Sequence, residues 1–177
     1  MITVRLATPS EFERVGELTV AAYRALPVDH LWGGYDQRIL DTETRAREAE
    51  VLVALADDQV VASVTYVDDP ASDWSEWTEP DEAQFRLLAV DPAVQGQGAG
   101  VALVRACLAR ADAAHRPIII HTTRWMETAQ RMYPRLGFVR REDRDVSYEE
   151  WLDERDLDLP PEWIGQPFLA FYRSPQA

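Results

Sequence analysis

The sequence has no lysine, no asparagine and one cysteine, Cys107, in 177 residues. Without lysine there is neither a P-loop lysine nor a Schiff-base lysine, which excludes Walker-type nucleotide chemistry and imine catalysis. One cysteine excludes an intramolecular disulfide and a cysteine-built zinc site. Cys107 has no histidine near it in sequence and reads as a core-facing helix residue. Positive charge is also scarce: 18 arginines stand against 31 carboxylates, for a net charge of −13. That balance opposes a nucleic-acid partner, whose phosphates require a basic face, and fits a cationic or amine-bearing acceptor. No hydrophobic run approaches the roughly 20 residues of a membrane span. Met1 to Leu6 lacks the charged start and apolar core of a signal peptide, so the expected compartment is the cytoplasm.

The length fits one domain spanning residues 1–177, large enough to bury a core without covalent staples. Ile2 to Leu6 alternates as a first strand. Thr8-Pro9-Ser10-Glu11 signals a helix start, and apolar residues recur at helical spacing to about Leu26. Pro27 to Gly34 is a break, and Tyr35 to Glu50 reads as one charged helix. Val51 to Ala56 and Val60 to Val67 flank a turn as a hairpin. Asp68 to Asp81 is a polar loop whose Trp74 and Trp77 either cover the sheet edge or wall an acceptor site. Gln84 to Val90 is the next strand, and a helix from about Gly98 to Ala114 carries Leu103, Ala106, Cys107 and Leu108 as core candidates. Ile118 to Thr122 is a buried strand, Trp125 to Leu136 a helix, and Phe138 to Arg141 starts a strand. Arg140 to Gly165 reads as a long charged loop with a helical turn around Glu149 to Glu154, and Pro167 to Arg173 as the last strand. This order describes a mixed α/β domain.

Three of the eight glycines fall between Gly96 and Gly100, after the strand ending Leu87-Leu88-Ala89-Val90-Asp91-Pro92 and before a strong helix. Glycines allow close approach of the backbone, and a helix start offers free N–H groups and a positive dipole end, so the stretch reads as a phosphate cradle. A dinucleotide fold would need G-x-G-x-x-G and an acidic residue about 20 positions on. Here the spacing is G-x-G-x-G, the downstream residues are Ile119-Ile120-His121-Thr122, and several strands precede the motif.

Gln95-x-x-Gly98-x-Gly100, with Leu-Ala-Val-Asp-Pro before it and a helix after, resembles the acetyl-CoA signature of the GNAT superfamily of N-acetyltransferases. Ala129-x-x-x-Tyr133-x-x-x-Gly137-Phe138 resembles that family's second motif at the usual distance. The resemblance runs from Phe85 to Phe138. It implies a mostly antiparallel mixed sheet of six to seven strands with about four helices, splayed between the fourth and fifth strands. It also implies acetyl-CoA as co-substrate. The amides of Gln95, Gly96, Gln97, Gly98, Ala99, Gly100 and Val101 would hold the pyrophosphate. Leu88, Ala89 and Val90 would pair with the pantetheine arm, and Ala129 and Met132 would contact the cofactor. Tyr133 is the implied general acid, protonating the leaving thiolate.

The acceptor implied is the primary amine of a small molecule, with no nucleic acid or membrane partner and a monomeric or dimeric chain. A non-catalytic acyl-CoA-binding protein and a protein N-terminal acetyltransferase are the alternatives. The sequence departs from the family at Met126, where an asparagine is common, and at Pro134, which should push Tyr133 away from helical geometry. The base is open between Glu82, His121 and a water-mediated route. By strand parity, Glu82, Gln84, Arg86 and Leu88 share a face if no bulge intervenes. Arg86 then needs a buried partner, either a carboxylate of the tryptophan loop or one on the substrate.

Overall fold

The β-branched and alternating runs of the sequence form a mixed sheet in a computed structural model that describes residues 1–149 and 160–176. The strands are β1 (Ile2–Leu6), β2 (Glu50–Ala56), β3 (Gln59–Val67), β4 (Ala83–Val90), β5 (Ile118–Thr122), β6 (Val139–Arg140), β7 (Val146–Ser147) and β8 (Pro167–Arg173). The spatial order is β1-β2-β3-β4-β5-β8-β6, with β7 pairing β8. Among the described residues every pairing is antiparallel except β4–β5. Among the described residues this is eight strands rather than six to seven; the addition is the two-residue β7. The helical turn expected at Glu149 to Glu154, and Trp151 with it, lies beyond Glu149 outside the described residues.

The helices are α1 (Phe12–Arg24), α2 (Tyr35–Leu40), α3 (Thr42–Glu48), α4 (Ala99–Ala113) and α5 (Glu127–Met132). The single helix expected over Tyr35 to Glu50 is two. Asp41 leaves helical geometry at φ −74°, ψ 66°, and its side chain accepts from the Thr44 N–H, so it caps a new helix. An aspartate cap satisfies a donor that the start of a helix leaves unpaired, which favours the break.

Helices cover both faces of the sheet. On one, Leu103, Val104, Cys107 and Ala111 of α4 pack on Leu52, Val64, Phe85 and Ile118. On the other, Val15 and Leu18 of α1 pack on Val51, Val53 and Ala89. A fully buried leucine such as Leu103 contributes about 1.5–3 kcal/mol.

Gly16 is required in α1 by a close crossing, since a Cβ there would meet the Leu40 carbonyl oxygen at 2.9 Å. Gly16→Ala is therefore expected to destabilise the protein, by about 1–2 kcal/mol, although alanine is the better helix former. Thermal unfolding checks this; a stabilised variant would show that the crossing can relax.

Candidate active site

Two irregularities in β4 make the site. Its parallel pairing with β5 covers only Ala83↔Ile118 and Gln84↔Ile119, after which the strands diverge. On the other edge, Ser63 pairs Ala89 while Thr65 pairs Arg86, so Val64 alone opposes Leu87 and Leu88. Leu87 takes up this bulge at φ 52°, a conformation a branched side chain enters only under local constraint. The bulge overturns the simple parity. Leu88 packs with Phe85 on the α4 side, while Leu87 and Ala89 join the clusters on the α1 side.

The glycine loop follows directly. Asp91 accepts from the Ala93 N–H at 3.0 Å and from Arg14 at 2.7 Å, fixing a tight turn before it. Gly96 and Gly98 then adopt φ 83° and 87°, Gly98 as the residue that caps α4. The bond from Ala102 N–H to Gly98 O marks the start of the helical ladder. The N–H groups of Ala99, Gly100 and Val101 stand before it, where an anion is favoured.

These parts open on one cleft of about 1190 Å³. It is lined by Leu88, Ala89, Val90, Gln95, Gly96, Gly98, Ala99, Gly100, Val101, Ala129, Met132 and Tyr133. Of the expected cofactor contacts, Gln97 is the one not in the lining; it is exposed.

Tyr133 ends α5 at φ −56°, ψ −47° and so keeps helical geometry despite Pro134. The proline falls early in a tighter 3₁₀ turn over Tyr133–Leu136, where a missing N–H costs little. The Tyr133 ring packs between Phe85, Phe138 and Phe171, with centroids 5.9, 5.6 and 5.3 Å away. Burial raises its pKa, so the phenol holds its proton at neutral pH. Met126 precedes α5 and receives a hydrogen bond at sulfur from the Thr122 hydroxyl. Gln130 ties the helix start to β5 by donating to the carbonyls of Thr123 and Arg124.

Glu82 lies outside the cleft lining, which argues against it as the base. Both its oxygens accept from Arg144 at 2.9 Å, and one also accepts from the Glu79 N–H. Burial opposes its charge, but these donors outweigh burial and hold its pKa below the usual range. Glu82→Gln should therefore cost about 3 kcal/mol at neutral pH by stranding Arg144, with turnover per folded molecule retained. The pair's contribution is present above the unfolded glutamate pKa and fades as pH falls through the lowered folded value. Chemical denaturation at pH 7 and pH 4 tests both parts; an equal loss at the two pH values would contradict the pairing.

His121 does line the cleft. Its Nε2 meets the Arg144 carbonyl at 3.1 Å, so Nε2 carries the proton and the buried Nδ1 carries a lone pair. Burial brings its pKa down to about 4, too low for a strong base. Arg86 finds its carboxylate in the tryptophan loop, pairing with Glu76 at 2.8 Å. The two tryptophans of that loop take different places, and Trp74 is not at an edge strand: it packs with Val67 of β3 and Leu87 of β4. Trp74 is buried beneath Arg38, whose guanidinium sits 4.3 Å from its ring, and Trp77 lines the cleft.

Sequence reasoning missed His30. It stands in the break between α1 and α2, and 93 positions separate it from Thr123, its hydrogen-bond partner at 3.1 Å. His30, Trp32, Tyr35, Trp125, Tyr148 and Phe168 also line the cleft. No group of acidic, histidine or cysteine side chains suited to a metal occurs among the described residues. No helix among them is long and apolar enough to cross a membrane.

The sequence profile of the acetyltransferase (GNAT) family matches residues 12–138. No curated protein matches the chain. Among solved structures, it is similar to yncA from Salmonella typhimurium, determined with its cofactor acetyl-CoA. That match has 16% identity and a TM-score of 0.70, and covers 100% of this chain and 95% of the other. A GNAT-family acetyltransferase from Staphylococcus aureus Mu50 gives 15% identity and a TM-score of 0.68, over 99% and 100% of the two chains. The ribosomal-protein-S18-alanine N-acetyltransferase from Escherichia coli gives 15% and 0.67, over 100% and 96%. At these identities the structures show a shared fold. The profile spans the splayed strands, the glycine loop and Tyr133, and on that ground the chain belongs to the acetyltransferase (GNAT) family.

Proposed function

We propose that this chain is an acetyl-CoA-dependent N-acetyltransferase that acts on a primary amine of a small molecule by direct attack. One observation carries the reading: a single cleft joins the glycine loop to an aromatic chamber past the diverging ends of β4 and β5. When bound, acetyl-CoA supplies an activated acetyl thioester. The N–H groups at the start of α4 fit its pyrophosphate. The β4 edge beyond Gln84, which β5 leaves unpaired, fits the amides of the pantetheine arm as an added strand.

Tyr133 stands on the α4 side of the sheet, where it would donate its proton to the departing sulfur. The chamber on the other side is walled by aromatic rings, a concave site suited to a small amine. Direct attack is favoured over an acyl-enzyme. Cys107 is wholly buried in the core, where burial raises its pKa and keeps the thiol protonated.

Thiol release from acetyl-CoA across a panel of small amines and short peptides, with mass spectrometry of the products, tests the proposal. An acetylated small amine is the expected result. Tight acetyl-CoA binding without turnover of any acceptor would contradict catalysis, and turnover of peptide N-termini alone would contradict a small acceptor.

A further inference from the structure

We propose that Thr123 and His30 form the proton-accepting pair for the attacking amine. The inference rests on the acetyl transfer proposed above. Both residues line the cleft, and both are buried. The Val28 carbonyl can only accept, so the 2.8 Å contact from His30 Nδ1 fixes the proton on Nδ1. Nε2 therefore carries the lone pair, and the Thr123 hydroxyl donates to it at 3.1 Å. The lone pairs of Thr123 Oγ1 remain available to an amine N–H in the cleft.

The position suits the task. Thr123 directly follows β5, whose final residues have parted from β4. Tyr133 belongs to the core on the α4 face, while His30 meets Tyr23 of α1, with centroids 6.1 Å apart. The acid and the pair thus approach the gap from opposite sides of the sheet, as transfer between a departing sulfur and an arriving nitrogen requires. Trp163 and Trp125 enclose the imidazole at 4.7 and 5.8 Å. Among the described residues, the titratable groups facing it are Tyr23 from α1 and Asp29 from its own loop.

The step balances. As the nitrogen bonds to the acetyl carbon, its proton passes to Thr123 Oγ1 and the threonine proton passes to His30 Nε2. The carbon–sulfur bond breaks, and the sulfur keeps the electron pair and takes the Tyr133 proton. The proton on His30 then returns through Thr123 and solvent to restore Tyr133, leaving an amide and a free thiol. Burial favours the neutral imidazole, the form the pair needs at the outset, while the Val28 carbonyl on Nδ1 and the Asp29 charge favour the protonated form that the step creates.

The test compares Thr123→Val, Thr123→Ser and His30→Gln on an amine that the native enzyme acetylates. Thr123→Val, nearly isosteric but without a hydroxyl, should lower kcat by about 10²-fold, with KM for acetyl-CoA within roughly twofold of native. Thr123→Ser keeps the hydroxyl and should restore kcat to within about tenfold of native. His30→Gln should match Thr123→Val, and the double variant should be no slower than either, because the two act as a unit. Thermal melts identify a variant that fails to fold; if His30→Gln does, the valine and serine variants decide. Retention of kcat by Thr123→Val, or a serine variant as slow as the valine one, would overturn the pair while leaving acetyl transfer intact. A native enzyme with no amine-dependent thiol release would instead overturn the function on which the pair rests.

Discussion

Replacing Tyr133 by phenylalanine is expected to lower kcat by about 10²-fold or more while leaving KM for acetyl-CoA nearly unchanged. The substitution removes one oxygen and keeps the ring that packs against Phe85, Phe138 and Phe171. Stability should hold, so the loss would report chemistry and not folding. The pH dependence gives a second reading. An acid must be protonated to act, and burial raises the Tyr133 pKa above its ordinary value near 10. The native rate should therefore not decline through ionisation of Tyr133 until pH passes about 10. Steady-state kinetics at saturating amine measures both. A phenylalanine variant as fast as native would remove the phenol from the reaction.

The second large effect concerns the cradle. Gly98→Val should weaken acetyl-CoA binding by about 10²-fold, the loss of one or two charge-assisted hydrogen bonds. Gly98 sits at φ 87° with nothing within 4 Å of where a Cβ would lie. A Cβ there would meet no protein atom, but the branches of a valine would occupy space that a phosphate needs in order to reach the amides of α4. Backbone strain adds a stability cost of about 1–3 kcal/mol. Calorimetric titration with acetyl-CoA separates the effects, with Gly98→Ala as the smaller step. Unchanged affinity in the valine variant would place the pyrophosphate elsewhere.

What could be read from the residues was local or rested on fixed spacing. The glycine loop and Tyr133 stand on one strand–helix and one helix–turn unit, and both line the same cleft. Arg86 was legible because a strand arginine needs a counter-charge, and Glu76 supplies it from the tryptophan loop. The bulge was not, because Leu87 has none of the glycine or asparagine character that marks a left-handed residue; the register on both sides forces it. Asp41 could have been read as a cap, given the helix-forming residues after it, but the charge pattern across it hid the break. Glu82 stood among the candidate bases because its partner Arg144, 62 positions away, leaves no trace in strand parity. His30 was illegible for the same reason. Its meaning lies in Val28 and Thr123, and only folding brings Thr123 to it.

The account centres on one geometric claim: the donor enters at the glycine loop and presents its thioester where β4 and β5 part. A crystal structure with acetyl-CoA tests this most directly. The predicted result is a pyrophosphate held by the N–H groups of Ala99, Gly100 and Val101, a pantetheine arm along Leu88 to Val90, and the sulfur within hydrogen-bond reach of the Tyr133 hydroxyl. A pyrophosphate bound away from the start of α4, or a thioester remote from Tyr133, would contradict it.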